Sequence, residues 1–392
     1  MREVFIVGAA RTPIGSFQGA LSGIPAPELG AIAIKEALRR AKVVPDMVDE
    51  VIMGIVLTAG VGQAPARQAA LGAGLPSKVE AVTLNKVCGS SLKAVMIGAN
   101  NIRCGDAEVV VAGGMESMSR APYILDRARE GYRMGDGKVI DSMIRDGLWD
   151  VYNDFHMGMA AELLSEKEGI SREAQDQFAI RSYQRAQEAQ RSGRFKEEIV
   201  PVSIPQRVGP PLEITEDEEP KRVKLEKVAS LKPSFKEGGC VTAANASSIN
   251  DGAAAVVIAS EEKVKELTLT PMARIVAQAG SALAPEWFTI APVEAIKRVI
   301  DRSGLNLSDI DLFEINEAFS CVTMAAIDKL GLDPERVNVN GGAVALGHPI
   351  GASGARILTT LLYAMKDRKA RYGLATLCIG GGEAVAMVVE RV

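Results

Sequence analysis

Few residues in this chain can do covalent or proton-transfer chemistry near neutral pH: five cysteines (Cys88, Cys104, Cys240, Cys321, Cys378) and two histidines (His156, His348). Cys88 stands in Asn85-Lys86-Val87-Cys88-Gly89-Ser90-Ser91-Leu92-Lys93-Ala94, and Leu92, Val95, Met96 and Ala99 follow it at helical spacing. The thiol is therefore expected at or just before a helix N-terminus, where free N–H groups and the positive dipole end favour a thiolate. Read alone, such a cysteine is either a nucleophile or a small buried hydrophobe.

His348 lies in the glycine-rich run Asn340-Gly341-Gly342-Ala343-Val344-Ala345-Leu346-Gly347-His348-Pro349-Ile350-Gly351-Ala352-Ser353-Gly354, which feeds a helix over Ala355–Met365. Pro349 holds the histidine extended at the approach to that helix. Paired with a thiol, an imidazole here would serve nucleophilic acyl transfer; otherwise it is a hydrogen-bonded turn residue. Cys378 ends an apolar strand and enters Ile379-Gly380-Gly381-Gly382-Glu383. Three glycines let backbone N–H groups approach a developing negative charge, although the same run also makes a tight turn between buried strands. Asn316-Glu317-Ala318-Phe319 follows the apolar run Leu312–Ile315 at a strand C-terminus, where sheets of this type place ligands, and Asn316 could equally cap a helix.

The elements that must position these groups alternate in type. Glu3–Val7 reads as a buried strand, Glu28–Ala41 as an amphipathic helix and Val51–Leu57 as a second strand. Ala33-Ile34-Lys35-Glu36 with Asp46–Val51 aligns without a gap on Ala295-Ile296-Lys297-Arg298 with Ser308–Phe313, an offset of 262 residues that also sets Gly89-Ser90-Ser91 on Gly351-Ala352-Ser353. So long a period means a repeated domain, and a pseudo-twofold would bring the Cys88 and His348 helix starts together. Val109–Ala112, Ala253–Ala259, Leu374–Cys378 and Val385–Val389 are apolar throughout, as strands covered on both faces are. Between Met118 and Asn245 charge and glycine increase, with a helix expected over Arg172–Ser192, so this segment reads as an insertion carried by the first half. Its acidic run Glu216-Asp217-Glu218-Glu219 is expected in solvent, because clustered like charges resist burial.

At 392 residues, 47% hydrophobic and 24% charged, the chain is long enough for two or three packed units. A net charge of -4 without a long basic block gives no footprint for nucleic acid. The cysteines form no C-x-x-C pair, which argues against a zinc site or disulfide framework and for a reducing compartment. The expectation is a soluble cytoplasmic protein: Val4-Phe5-Ile6-Val7 is too short for a secretory segment, no run reaches the roughly 18 apolar residues of a membrane span, and Val389-Glu390-Arg391-Val392 carries no targeting tripeptide.

Val87-Cys88-Gly89-Ser90-Ser91, Asn316-Glu317-Ala318-Phe319, Gly347–Arg356 and Cys378–Gly382, in this order, resemble the thiolases, and the likeness runs from Ala9-Ala10-Arg11-Thr12-Pro13-Ile14-Gly15 to the C-terminus. Asp141–Asp150 followed by His156-Met157-Gly158 resembles the biosynthetic acetoacetyl-CoA branch. The resemblance implies an α/β fold, a duplicated five-layered αβαβα core with an inserted loop domain that holds coenzyme A. The implied division is 1–117 with 246–270 as one half, 118–245 as the loop domain and 271–392 as the other half. It further implies a homotetramer or at least a dimer, acetyl-CoA, acetoacetyl-CoA and CoA as substrates or products, and no metal or redox cofactor.

By the same resemblance, Cys88 is acetylated by one acetyl-CoA after His348 activates it, and Cys378 deprotonates the second acetyl-CoA, whose carbanion attacks the acetyl group. One oxyanion hole would be His348 with a water held by Asn316, the other the N–H groups of Cys88 and Gly380. His156, Met157, Ser247, Ala318 and Phe319 would line the pantetheine tunnel. The sequence departs from the family pattern at Ser248, where glycine is usual, at Phe288-Thr289-Ile290-Ala291-Pro292, and at Glu219-Pro220-Lys221, where His-Pro-Arg is usual; Lys221 could serve the nucleotide phosphate. A degradative 3-ketoacyl-CoA thiolase shares every catalytic residue. A non-catalytic acyl-CoA-binding relative would have no need of Cys88, His348 and Cys378 together, and ketosynthase-type enzymes have a histidine or asparagine where Cys378 stands.

Overall fold

The computed structural model describes residues 2–392. Nine strands lie in line through the main sheet, β1 (Val4–Arg11), β2 (Glu50–Gly54), β3 (Glu80–Leu84), β4 (Val109–Ser117), β5 (Asn250–Ser260), β6 (Ala273–Ala282), β7 (Leu312–Ile315), β8 (Tyr372–Ile379) and β9 (Glu383–Arg391), and the two-residue strand Gly15–Ser16 pairs with β5 as a tenth member off this line. Helices of eight or more residues are α1 (Ala26–Ala41), α2 (Pro65–Gly72), α3 (Ser90–Cys104), α4 (Met157–Glu168), α5 (Arg172–Arg191), α6 (Ala291–Ser303), α7 (Ser320–Leu330) and α8 (Ser353–Arg368).

The strand order is β7-β8-β9-β6-β1-β5-β4-β2-β3. It divides where β1 meets β6, through only two residue pairs, Phe5 with Arg274 and Ile6 with Ala273. On one side β2 runs parallel to β3 and β4, then β5 and β1 are antiparallel; on the other β7 runs parallel to β8, then β9 and β6 are antiparallel. The repeat is thus the same strand topology used twice, and β2 and β7 begin at the offset of 262 residues seen in the sequence.

Three apolar clusters show the layers. α1 and α2 pack on the outer face of the first half-sheet, α6 and α7 on the outer face of the second, and α3 with α8 fill the space between the half-sheets. The layering is the αβαβα core that the resemblance implies. Burial explains the composition: β4 and β5 are buried at every position and are continuously apolar over most of their length. α8 lies between the half-sheets and buries 12 of its 16 residues, the polar Arg356, Thr359 and Thr360 among them.

The α3 and α8 N-termini touch. A side chain at Gly354 would put its Cβ 2.4 Å from the Leu92 nitrogen, and the Ala355 N–H donates to Ser91 Oγ at 2.9 Å. The expected meeting of the two helix starts is therefore present, and only glycine permits so close an approach.

Between β4 and β5 the chain leaves the sheet as small hairpins, among them Tyr123–Leu125 with Val139–Asp141, together with α4 and α5. In the second half the equivalent connection, β8 to β9, is the glycine turn alone, with Gly381 and Gly382 both at φ +93°. The acidic run corrects the expectation of a solvated loop. Asp217 is buried, accepting two hydrogen bonds from the Arg11 guanidinium at 2.7 and 2.9 Å and one from the Ile14 N–H at 2.8 Å. Arg11, buried as well, also donates to Glu198 at 2.5 Å. A paired, multiply hydrogen-bonded carboxylate can be buried, and this one ties the insertion to the end of β1. Replacing Asp217 with alanine should destabilise the protein by about 3–5 kcal/mol in chemical denaturation, because Arg11 is left buried and under-neutralised. A loss below about 1 kcal/mol would show the clamp to be dispensable.

Candidate active site

Cys88 is presented by a turn between β3 and α3 that holds Val87 at φ +45°, a left-handed conformation that β-branched residues rarely adopt. Local hydrogen bonds fix it: the Gly89 N–H donates to the Lys86 carbonyl at 3.0 Å, the Ser90 N–H to the Val87 carbonyl at 3.1 Å, and the Lys86 N–H to Ser90 Oγ at 2.8 Å. The thiol thus sits two residues before the helix, as its spacing predicts. Its protonation differs from the expectation. Burial pushes the Cys88 thiol up to about 11, against the pull of the Gly380 and Cys88 N–H groups, and the carboxylate of Glu116 pushes it further the same way. Helix-end stabilisation loses to desolvation here, so the resting sulfur carries its proton and needs a base.

His348 supplies an imidazole in the neutral state. Burial, assisted by the charge of Arg356, lowers it to about 3. Its tautomer follows from its neighbours: the Ser353 hydroxyl donates to the Pro349 carbonyl at 2.9 Å, so Nδ1–H must donate to Ser353 Oγ, 2.6 Å away. Nε2 therefore carries the lone pair, and it accepts a long hydrogen bond from Asn316 Nδ2 at 3.5 Å. The His348 N–H donates to Asn250 Oδ1 at 2.9 Å, and Ser248, one of the departures, donates its hydroxyl to the same oxygen at 2.8 Å. Asn316 does not cap a helix. α7 begins at Ser320 with Phe319 as its cap, and Asn316 Oδ1 is buried without a hydrogen-bond partner.

Cys378 is fully buried at the end of β8; burial first, then the neighbouring Cys88 and Cys321 thiols, hold it well above the ordinary range. A cavity of about 240 Å³ opens in front of these groups. Cys88, His348, Gly380, His156, Met157, Ser247, Ala318 and Phe319 all line it. Asn316 and Cys378 do not line it: Asn316 meets His348 at 3.5 Å, and the fully buried Cys378 lies in the apolar cluster of Met157, Ala318 and Phe319, which do line it. Lys221 is not brought there. It is exposed on another face, ion-paired with Glu216.

The wall nearest the pantetheine candidates is aromatic. His156 caps α4 by accepting the Gly158 N–H on Nδ1 at 3.0 Å, which leaves Nε2–H as a donor, and its ring stacks on Phe235 at 4.7 Å. Phe235 meets Phe319 edge-on at 6.2 Å. Sequence reasoning missed Phe235, whose only signal is a lone aromatic in the polar run Lys232-Pro233-Ser234-Phe235-Lys236. Phe288 is buried in the cavity wall, and Ser247 donates its hydroxyl to the Ala318 carbonyl at 2.9 Å.

A neutral thiol and a neutral imidazole lining one cavity, with the Gly380 backbone beside them, are the groups that acyl transfer needs. Comparison with known proteins gives it a family. Residues 4–262 match the thiolase N-terminal domain and residues 269–391 the thiolase C-terminal domain. The chain belongs to the thiolase family. It is 58% identical to the acetyl-CoA acetyltransferase of Cupriavidus necator and 56% identical to that of Pseudomonas aeruginosa, each over the whole of both chains. With the acetyl-CoA acetyltransferase of Schizosaccharomyces pombe it shares 52% identity over 391 residues, 100% of this chain and 99% of the relative. Among the described residues no helix is long and apolar enough to cross a membrane.

Alkylation of Cys88 by iodoacetamide, followed by peptide mass spectrometry, should rise with pH and keep rising well past the roughly 8.5 of a free thiol, because only the thiolate reacts. A midpoint below about 8 would mean that the helix end, not burial, sets its charge.

Proposed function

We propose that the chain is an acetyl-CoA C-acetyltransferase that condenses two acetyl-CoA to acetoacetyl-CoA and CoA, reversibly. The observation that carries this reading is the convergence of Cys88, His348 and the Gly380 N–H on one cavity. The activity for which the three relatives are named supports it. In the first half-reaction His348 Nε2 takes the Cys88 proton as the sulfur attacks the acetyl carbonyl. The tetrahedral oxyanion is held by the Cys88 and Gly380 N–H groups, and CoA leaves as a thiol with the proton returned by His348.

In the second half-reaction Cys378 passes its proton to His348 Nε2, and the resulting thiolate takes a proton from the methyl group of a second acetyl-CoA. The burial that raises Cys378 makes that thiolate a stronger base. The enolate oxygen is held by Nε2–H of the protonated His348 and a water on Asn316 Oδ1, a buried acceptor otherwise without a partner. Carbon then attacks acetyl-Cys88, and the Cys88 sulfur leaves, taking the proton from His348, which restores the neutral thiol and imidazole.

His156 Nε2–H, Met157, Ser247, Ala318 and Phe319 would hold the pantetheine arm, and residues 118–245 the rest of coenzyme A. Assembly as a homo-oligomer, a tetramer in this reading, is supported by the open edge of β3, where Val82 is exposed, and by Tyr123, Leu125 and Val139, exposed on one hairpin. Five unpaired cysteines support a reducing, cytoplasmic setting.

Cys88→Ala should abolish covalent acetylation by acetyl-CoA, read by intact-protein mass spectrometry; retained labelling refutes the nucleophile. Cys378→Ala should still take up acetyl yet lose condensation by well over tenfold, about 1.4 kcal/mol of barrier or more. Phe288 in the wall favours short acyl chains over a degradative, broad-range thiolase. In a panel of 3-ketoacyl-CoA substrates thiolysis should fall with chain length, and equal rates on long chains would favour the degradative reading.

A further inference from the structure

Glu116, next to last in β4, is fully buried and has no part in the scheme above. Its carboxylate accepts three backbone N–H groups: Val56 at 3.0 Å and Gly351 at 2.8 Å on Oε2, and Leu57 at 3.1 Å on Oε1. These donors belong to two separate segments, the loop that follows β2 and the turn that runs from His348 into α8. Val56, Leu57 and Ile350, the side chains at those donors or next to them, pack in one apolar cluster against Cys88. One carboxylate behind the wall therefore joins the nucleophile's surroundings to the turn that bears the base, and the first half of the duplication to the second.

A carboxylate is a costly way to fill this place, since burying a charge is unfavourable unless its lone pairs are used. Here burial raises Glu116 to about 7, the Leu57, Val56 and Gly351 N–H groups pull it down, and Asp251 on β5 pushes it up. The titratable groups facing it are Asp251, from β5, and Cys88, from the turn before α3. A packing role alone would be served by an uncharged side chain.

We propose that Glu116 is a positioning residue of the acyl-transfer site, fastening the His348 turn to the wall beside Cys88 through its carboxylate. The proposal rests on the acyl-transfer reading of the cavity. Two variants separate reach from charge: Glu116→Gln keeps the length but sets an NH2 against a backbone N–H and removes the charge, whereas Glu116→Asp keeps the charge and loses one methylene of reach.

Both variants should lose at least about tenfold in kcat for acetoacetyl-CoA thiolysis, with KM for CoA within about threefold, because the pantetheine wall lies on other segments. The pH midpoint for Cys88 alkylation should fall in Glu116→Gln, where the negative charge beside the sulfur is gone, and stay in place in Glu116→Asp. A kcat within about twofold of wild type in both variants, or an unmoved alkylation midpoint in Glu116→Gln, overturns the proposal. Should the Gln variant fail to fold, the kcat of the Asp variant decides by the same thresholds. Acetylation of wild-type Cys88, measured alongside, reports on the acyl-transfer reading itself, and the alkylation profiles need no turnover, so the two failures are told apart.

Discussion

The contact between the N-termini of α3 and α8 is the constraint on which the site depends. Each helix starts just after one of the two residues proposed to carry the acyl transfer, Cys88 in one half and His348 in the other. Neither residue has its partner on its own half. Gly354 against Leu92 and the bond from the Ala355 N–H to Ser91 close the distance between the helix starts, and the half-sheets on either side hold both helices in place. A helix pair sandwiched between two sheets has little freedom to slide, because interiors are packed near crystal density.

Depth then sets the charge states. At a solvated helix end a cysteine beside a histidine tends toward a thiolate and imidazolium pair. Here the same burial raises Cys88 and lowers His348, so the neutral forms prevail. The consequence is a site that holds its proton until an acyl carbonyl arrives to accept the electrons. Ser353 and Asn316 complete this arrangement by leaving Nε2, not Nδ1, as the basic nitrogen.

Much of this was legible in the residues. Strands covered on both faces must be apolar throughout, so β4, β5, β8 and β9 announced themselves, and the offset between β2 and β7 exposed the duplication before any topology was known. Cys88, His348 and Asn316 stood in short runs whose glycine and proline placement follows from backbone geometry. What stayed hidden depended on distant partners. Asp217 looked solvated because its counter-ion, Arg11, lies 206 positions away in the chain, and Glu116 looked like an ordinary polar residue at a strand end because its three donors come from other segments. The protonation of Cys88 was misjudged for a related reason: helical spacing reveals the dipole but not the depth of burial. Phe235 carried no pattern at all.

The glycine turn between β8 and β9 occupies the place in the second half where the first half carries the segment from Met118 to Ile249. The two copies therefore differ in the length of this connection: the long one brings His156, Met157, Phe235 and Ser247 to the cavity wall, and the short one brings Gly380. A duplicated chain might be expected to hold two active centres related by its symmetry. This one holds a single undivided centre, so neither copy is self-sufficient, and the ancestral symmetry survives only as scaffolding.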